Sequence, residues 1–83
     1  MRSEQLENYR YIVRHCVNGE ERAELREVEE FVAAIPDDYV RRMVAARYIK
    51  GLTWSEIAAC FYPNSADGCR MIVRRYLRSI GVG

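Results

Sequence analysis

The chain has 83 residues, which suits one small domain, and with 49% apolar and 30% charged residues it reads as a globular sequence rather than a disordered one. No apolar run approaches the roughly 20 residues that span a bilayer, and the N-terminal MRSEQLENYR lacks the apolar stretch of a secretion signal, so a cytoplasmic protein with no membrane contact is expected. Cys16, Cys60 and Cys69 are an odd number and form no C-x-x-C pair; buried, reduced thiols fit them better than a disulfide framework or a zinc site, and no cofactor is expected.

The net charge of +1 hides an asymmetry. Residues 1–36 carry five Arg and eight Glu, a net −3, whereas residues 37–83 carry seven Arg and one Lys against three Asp and one Glu, a net +4. The second part is expected to face an anionic partner and the first is not. Residues 1–36 therefore read as an acidic helical segment for packing, dimerisation or partner docking. A chain this short buries a modest core, so a homodimer is a natural source of extra stability.

Ser3 suits the N-cap of a first helix, with Glu4 in its first turn. Leu6, Tyr9, Val13, Cys16 and Val17 mark its apolar face, and Asn18-Gly19 reads as its stop. Leu25, Val28, Phe31, Val32 and Ile35 give a second helix, closed by Pro36. Asp37 and Asp38 suit the start of a third, with Val40, Met43, Val44 and Tyr48 inward and Gly51 as terminator. Thr53-Trp54-Ser55-Glu56 has the form of a capping box, and it opens a short fourth helix with Ile57, Ala58 and Phe61 inward. Pro63 stops that helix. Ser65 then caps a fifth, with Asp67 in its first turn and Cys69, Ile72, Val73, Tyr76, Leu77 and Ile80 on its buried side. No strand pattern, repeat or low-complexity segment interrupts this, so the fold class is all-α, five short helices. The expected core is Val40, Val44, Tyr48, Leu52, Ile57, Phe61, Cys69, Ile72, Val73, Tyr76 and Leu77.

Arg70, Arg74 and Arg78 recur at steps of four on the fifth helix, with Met71 and Arg75 beside them, opposite the apolar side. Such a ridge is either a solvated face or a surface for an anionic partner. The fourth and fifth helices tip the reading: a short capped helix, a turn at Tyr62-Pro63-Asn64, then a second capped helix with polar residues at its start is a helix-turn-helix layout. Ala58 is small where the two helices cross. In that layout the first turns of the second helix meet base edges, where arginine makes paired hydrogen bonds to guanine, and arginines further along meet phosphates.

Arg47-Tyr48, Gly51-Leu52-Thr53-Trp54 and Glu56-Ile57-Ala58, with Ile35-Pro36 ahead of them, resemble the C-terminal DNA-binding region, region four, of bacterial sigma factors. There an Arg-Tyr pair ends one helix and a Gly-Leu-Ser/Thr-Tyr/Trp-x-Glu-Ile-Ala run opens the helix-turn-helix. The resemblance extends over about residues 35–80, and the chain is similar in particular to small phage and prophage sigma-like regulators. It implies a helix-turn-helix DNA-binding domain at residues 37–83 that reads promoter DNA and controls phage gene expression in a bacterial host. Double-stranded DNA is the implied partner, and RNA polymerase a second one. Carried over by position, Ala66, Asp67, Gly68, Arg70 and Met71 are the base-reading residues, and Ser65, Arg74, Arg75 and Arg78 contact the backbone. The chain departs from the family in a turn one residue longer than usual and in Gly68 inside the reading helix, where glycine costs roughly 1 kcal/mol relative to alanine. It also lacks the promoter-opening sigma regions and is expected not to act as a complete sigma factor.

Other readings stand beside this one. Catalysis is not expected: His15 and Cys16 are sequence neighbours that point to different faces of a helix, and no glycine-rich phosphate loop is present. Trp54 reads as a half-buried packing residue rather than an interface anchor, and Tyr9, Tyr11 and Tyr48 as core. A protein-binding adaptor or inhibitor on a helix-turn-helix scaffold, and the DNA-recognition subunit of a phage packaging or recombination complex, are the alternatives.

Overall fold

The computed structural model of the chain describes residues 1–15, 18–61 and 65–82. Five α-helices follow one another, α1 Ser3–His15, α2 Gly19–Ala33, α3 Asp38–Val44, α4 Trp54–Cys60 and α5 Ala66–Ser79, with a π-helical turn over Ala45–Ile49 extending α3. Among the described residues there is no strand, and no helix is long and apolar enough to cross a membrane. Helix α1 packs on α2 and on the π turn, α3 packs under α5, and α4 packs on α5.

One apolar core runs through the chain. Leu6 and Tyr9 of α1, Val28 and Val32 of α2, Ile35 between α2 and α3, Met43 and Val44 of α3, Ile57 of α4, and Cys69, Val73 and Leu77 of α5 are all buried in a single cluster. Of the expected core, Tyr48, Leu52, Phe61, Ile72 and Tyr76 are half-buried and line its edge. Phe61 meets the Tyr39 ring edge-on, with centroids 5.6 Å apart. Tyr9 brings a polar tip to the α1–α2 seam: its hydroxyl donates to Glu29 Oε2 at 2.5 Å. Burial, reinforced by the Glu29 carboxylate, pushes its pKa up to about 12.

Helix ends follow local chemistry, with two corrections. Ser3 is already inside α1; the flanking position is Arg2, whose amide donates to Gln5 Oε1 at 2.9 Å. Asn18-Gly19 opens α2 rather than stopping α1: Asn18 Oδ1 accepts from the Glu21 amide at 2.9 Å, and Gly19 is the first helical residue. Asparagine serves either end of a helix, so the dipeptide alone does not decide between them. Asp37 caps α3 by accepting from the Tyr39 and Val40 amides. Arg41 ties that corner together by donating to the Ile35 carbonyl and pairing with Asp38.

Four further expectations on burial change. Val13 is 41% exposed and Ile12 is buried in its place; both lie one turn beyond Tyr9, so spacing alone does not choose between them. Tyr11 is 66% exposed, not core. Cys60 is exposed, on the outer face of α4, while Cys69 is buried and its thiol pKa is raised by that burial. Ile80 is exposed, and Val82 is buried instead. The chain reverses at Gly81 (φ 81°), where the Val82 amide donates to the Leu77 carbonyl at 2.8 Å and the Gly81 amide to that of Arg78 at 3.1 Å. This is a Schellman closure, and its usual apolar contact is supplied by Val82 and Leu77 in the core. The expectations for Cys16, Val17 and the Tyr62-Pro63-Asn64 turn fall outside the described residues.

Leu6→Ala should destabilise the fold by about 2–5 kcal/mol in denaturant unfolding, since Leu6 is 1% exposed; a near-neutral effect would mean that α1 is not docked. Folding holds the proton on Tyr9, so unfolding releases it above pH 10 and stability should fall as pH rises from 10 towards 12. Tyr9→Phe should remove that part of the alkaline decline, measured by unfolding at a series of pH values.

Candidate functional site

The sequence around Gly51 builds a turn that presents charge. In the π turn the Lys50 amide donates to the Ala45 carbonyl at 2.9 Å, and the Leu52 amide reaches back to that of Ala46 at 3.0 Å. Gly51 sits between them at φ 76°, a left-handed conformation that costs other residues roughly 1–2 kcal/mol. Thr53 follows as N-cap of α4: its Oγ1 accepts from the Glu56 amide at 3.1 Å, and Glu56 Oε1 accepts from the Thr53 amide at 2.9 Å. The expected capping box is therefore formed, and the Thr53 backbone and side-chain hydrogen bonds hold the Glu56 carboxyl below its usual pKa.

Two carbonyl oxygens of this turn accept from arginines. Arg47 Nη1 donates to the Leu52 carbonyl at 3.1 Å, and its guanidinium lies 5.1 Å from the centroid of the Trp54 ring. Arg10, from α1, donates through Nη1 to the Ile49 carbonyl at 3.1 Å. Trp54 is half-buried against the core, as expected for a packing residue.

Helix α5 brings its own arginines to the same place. Ser65 is its N-cap, with Oγ accepting from the Gly68 amide at 3.0 Å. Arg70, Arg74, Arg75 and Arg78 are exposed, as are Asp67 and Met71, the last at 43%. Ala66 and Gly68 are half-buried. Arg70 is not bare: its Nη2 pairs with Asp67 Oδ1 at 3.2 Å, one turn back. Arg70 and Arg74 line a cleft of about 480 Å³ together with Arg10 and Glu7 of α1, Arg47, and Trp54. Tyr48 also lines it, and the charges converge on its hydroxyl: burial raises its pKa first and most, Arg47 and Arg74 oppose this, and Glu7 adds to it. Arg75, Arg78 and Met71 lie outside the cleft.

The sequence-predicted residues thus divide. Arg70 and Arg74 are brought together at the cleft, whereas Ser65, Ala66, Asp67, Gly68, Met71, Arg75 and Arg78 are distributed along α5. Sequence reasoning missed Arg10. The acidic balance of residues 1–36 argued against a basic contribution from that segment, and nothing local to α1 marks Arg10 as different from Arg2 or Arg14. Arg47 carried a signal through its place in the Arg-Tyr pair. Among the described residues no group of His, Cys, Asp and Glu is arranged to hold a metal ion.

Gly51→Ala should cost about 1–2 kcal/mol in thermal or denaturant unfolding, from backbone strain. A Cβ there would also stand 2.8 Å from Arg10 Nε, so the Arg10 side chain must move. Gly51→Asn, which tolerates the left-handed backbone better, should cost less while still displacing Arg10. A neutral Gly51→Ala would show that the turn relaxes to a different conformation.

Comparison of the chain with protein-family models, with curated proteins and with solved structures returned no match.

Proposed function

We propose that the chain binds double-stranded DNA in a sequence-dependent way, with α4 and α5 as a sigma-type helix-turn-helix and α5 as the reading helix, and that it acts as a phage or prophage transcriptional regulator. The observation that carries this is the exposure of Arg70, Arg74 and Arg78 in one row on a capped helix that packs, through its other face, on α4. A helix laid in the major groove needs such an arrangement: an apolar face held by the domain, and a polar face free along its length. Asp67 and Arg70, in the first turns, are placed for base edges. Their ion pair pre-orients the Arg70 guanidinium, and a guanidinium so held can pair with the two acceptors of guanine. Ser65, Arg74, Arg75 and Arg78 are placed for phosphates, with Ala66, Gly68 and Met71 close to the bases. No catalytic role is proposed for any residue. With a net charge of +1, affinity as a monomer would be modest, so a homodimer or a contact with RNA polymerase completes the reading.

A second reading, a protein-binding adaptor, has one observation of its own. A groove of about 410 Å³ between α2 and the α3–π-turn segment is floored by Val32, Ala33, Ala45 and Ile49 and rimmed by Glu29 and Arg42. An apolar floor with charged edges suits a peptide or a helix better than DNA.

Selection of bound sequences from a random duplex pool at low salt should yield a preferred site; failure there would remove the DNA reading and favour the adaptor. On that site Arg70→Ala should lose about 1–3 kcal/mol and relax sequence preference. Arg78→Ala should weaken matched and scrambled duplexes alike and lower the salt slope by about one phosphate contact. Identical behaviour of the two variants on both duplexes would show that α5 is not in the groove in this register.

A further inference from the structure

We propose that the cleft between α1, the π turn and the start of α5 is a binding site for a phosphate-bearing ligand, of a size and charge that fit the pyrophosphate of a nucleotide. The site is independent of the DNA reading, although it shares Arg70 and Arg74 with it.

Three observations carry the inference. The first is charge. Arg10, Arg47, Arg70 and Arg74 line one cleft with Glu7 as its acidic wall residue; with Asp67 paired to Arg70 beside it, the four positive and two negative charges leave a net +2. Among the described residues, no carboxylate forms an ion pair with Arg10, Arg47 or Arg74. Like charges gathered without counterions repel one another, and an anion placed among them removes that cost.

The second is orientation. Arg10 and Arg47 are held by neutral carbonyls, those of Ile49 and Leu52, each at 3.1 Å. A carbonyl uses one N–H and leaves the positive charge intact, so the remaining donors of each fork are positioned and still available. Gly51 leaves the room that Arg10 occupies, since a Cβ at that position would stand 2.8 Å from Arg10 Nε. Two guanidinium groups anchored by backbone, from two separate elements, make a site prepared for an anion rather than a solvated surface.

The third is size. A cleft of about 480 Å³ falls in the range of small-molecule sites, roughly 300–1,000 Å³. A phosphodiester of a nucleic-acid backbone carries one charge, whereas a terminal phosphate alone carries about two at neutral pH. The terminal phosphate of a nucleotide therefore balances the net +2, whereas one backbone phosphate leaves a positive charge uncompensated. Tyr48 and Trp54 line the same cleft and supply aromatic wall for the nucleoside. Because α1 provides Arg10 and Glu7 while α5 provides Arg70 and Arg74, such a ligand would bridge the acidic segment to the helix proposed to read DNA.

The test is calorimetric titration of the full chain with ADP, with inorganic pyrophosphate and with a short duplex, at one fixed physiological salt concentration, with circular dichroism to check folding. ADP and pyrophosphate should bind. Arg74→Gln, which removes an exposed side chain and leaves the core untouched, should weaken both by roughly tenfold, as should Arg10→Gln. Glu7→Gln should tighten both by roughly two- to fivefold. Arg26→Gln, on the exposed face of α2 and outside the cleft, should change neither. Absence of ADP and pyrophosphate binding would overturn the proposal, as would an equal loss in Arg26→Gln, which would indicate unspecific charge. If the duplex binds and is weakened by Arg74→Gln while ADP and pyrophosphate do not bind, the cleft arginines serve the DNA backbone and the nucleotide site is refuted, with the DNA reading intact. If ADP binds as described and no duplex binds, the nucleotide site stands and the DNA reading falls.

Discussion

The left-handed turn at Gly51 is the constraint on which the rest of the molecule depends. It ends the π turn, closes the Leu52 amide onto the Ala46 carbonyl, and delivers Thr53 to the N-cap of α4. On either side of Gly51, the Ile49 and Leu52 carbonyls accept from Arg10 and Arg47. A side chain at residue 51 would meet both the backbone strain of φ 76° and the Arg10 guanidinium. One small residue therefore couples three things: the start of α4, the docking of α1, and the position of two guanidinium groups.

The wide turn matters for the same reason. A regular α-helix advances about 100° per residue, so a turn that takes in one extra residue rotates all that follows by about that amount. Residues after Ala45 are thereby re-aimed relative to α3, and Arg47 lies beside Trp54 with its donors towards Leu52. The apolar face of α3, Val40, Met43 and Val44, stays under α5. The packing role of the helix and the polar role of its end are thus separated by one inserted residue.

Charge and packing divide the molecule differently from the chain order. The residues that form the core come from every helix, so the acidic first part and the basic second part share one interior. The surface charge of α1 is not uniform: Glu7 and Arg10 face the cleft, while the Tyr9 hydroxyl reaches Glu29 on α2. A net charge counted over 36 residues averages across faces that have different neighbours, and that is why the sum alone hid Arg10.

Local chemistry was enough to determine the helical character of the chain, the capping of α3, α4 and α5, the helix-terminating glycine at residue 51, and the exposed arginine row on α5. These depend on spacing within a few residues: an oxygen three residues before an amide, or apolar positions at intervals of three and four. What tertiary structure decided is what needs a neighbour. Asn18-Gly19 opens α2 because asparagine can serve either helix end. Ile12 is buried rather than Val13, a choice between chain neighbours that periodicity does not make. Val82 replaces Ile80 because the chain reverses at Gly81 and brings C3 and C″ into contact. The arginine cleft is of the same kind: Arg10 and Arg74 are 64 positions apart in the chain, and no periodicity relates them. Only the burial of Leu6 and Tyr9 against the common core, which seats α1 beside the Gly51 turn, brings their charges together.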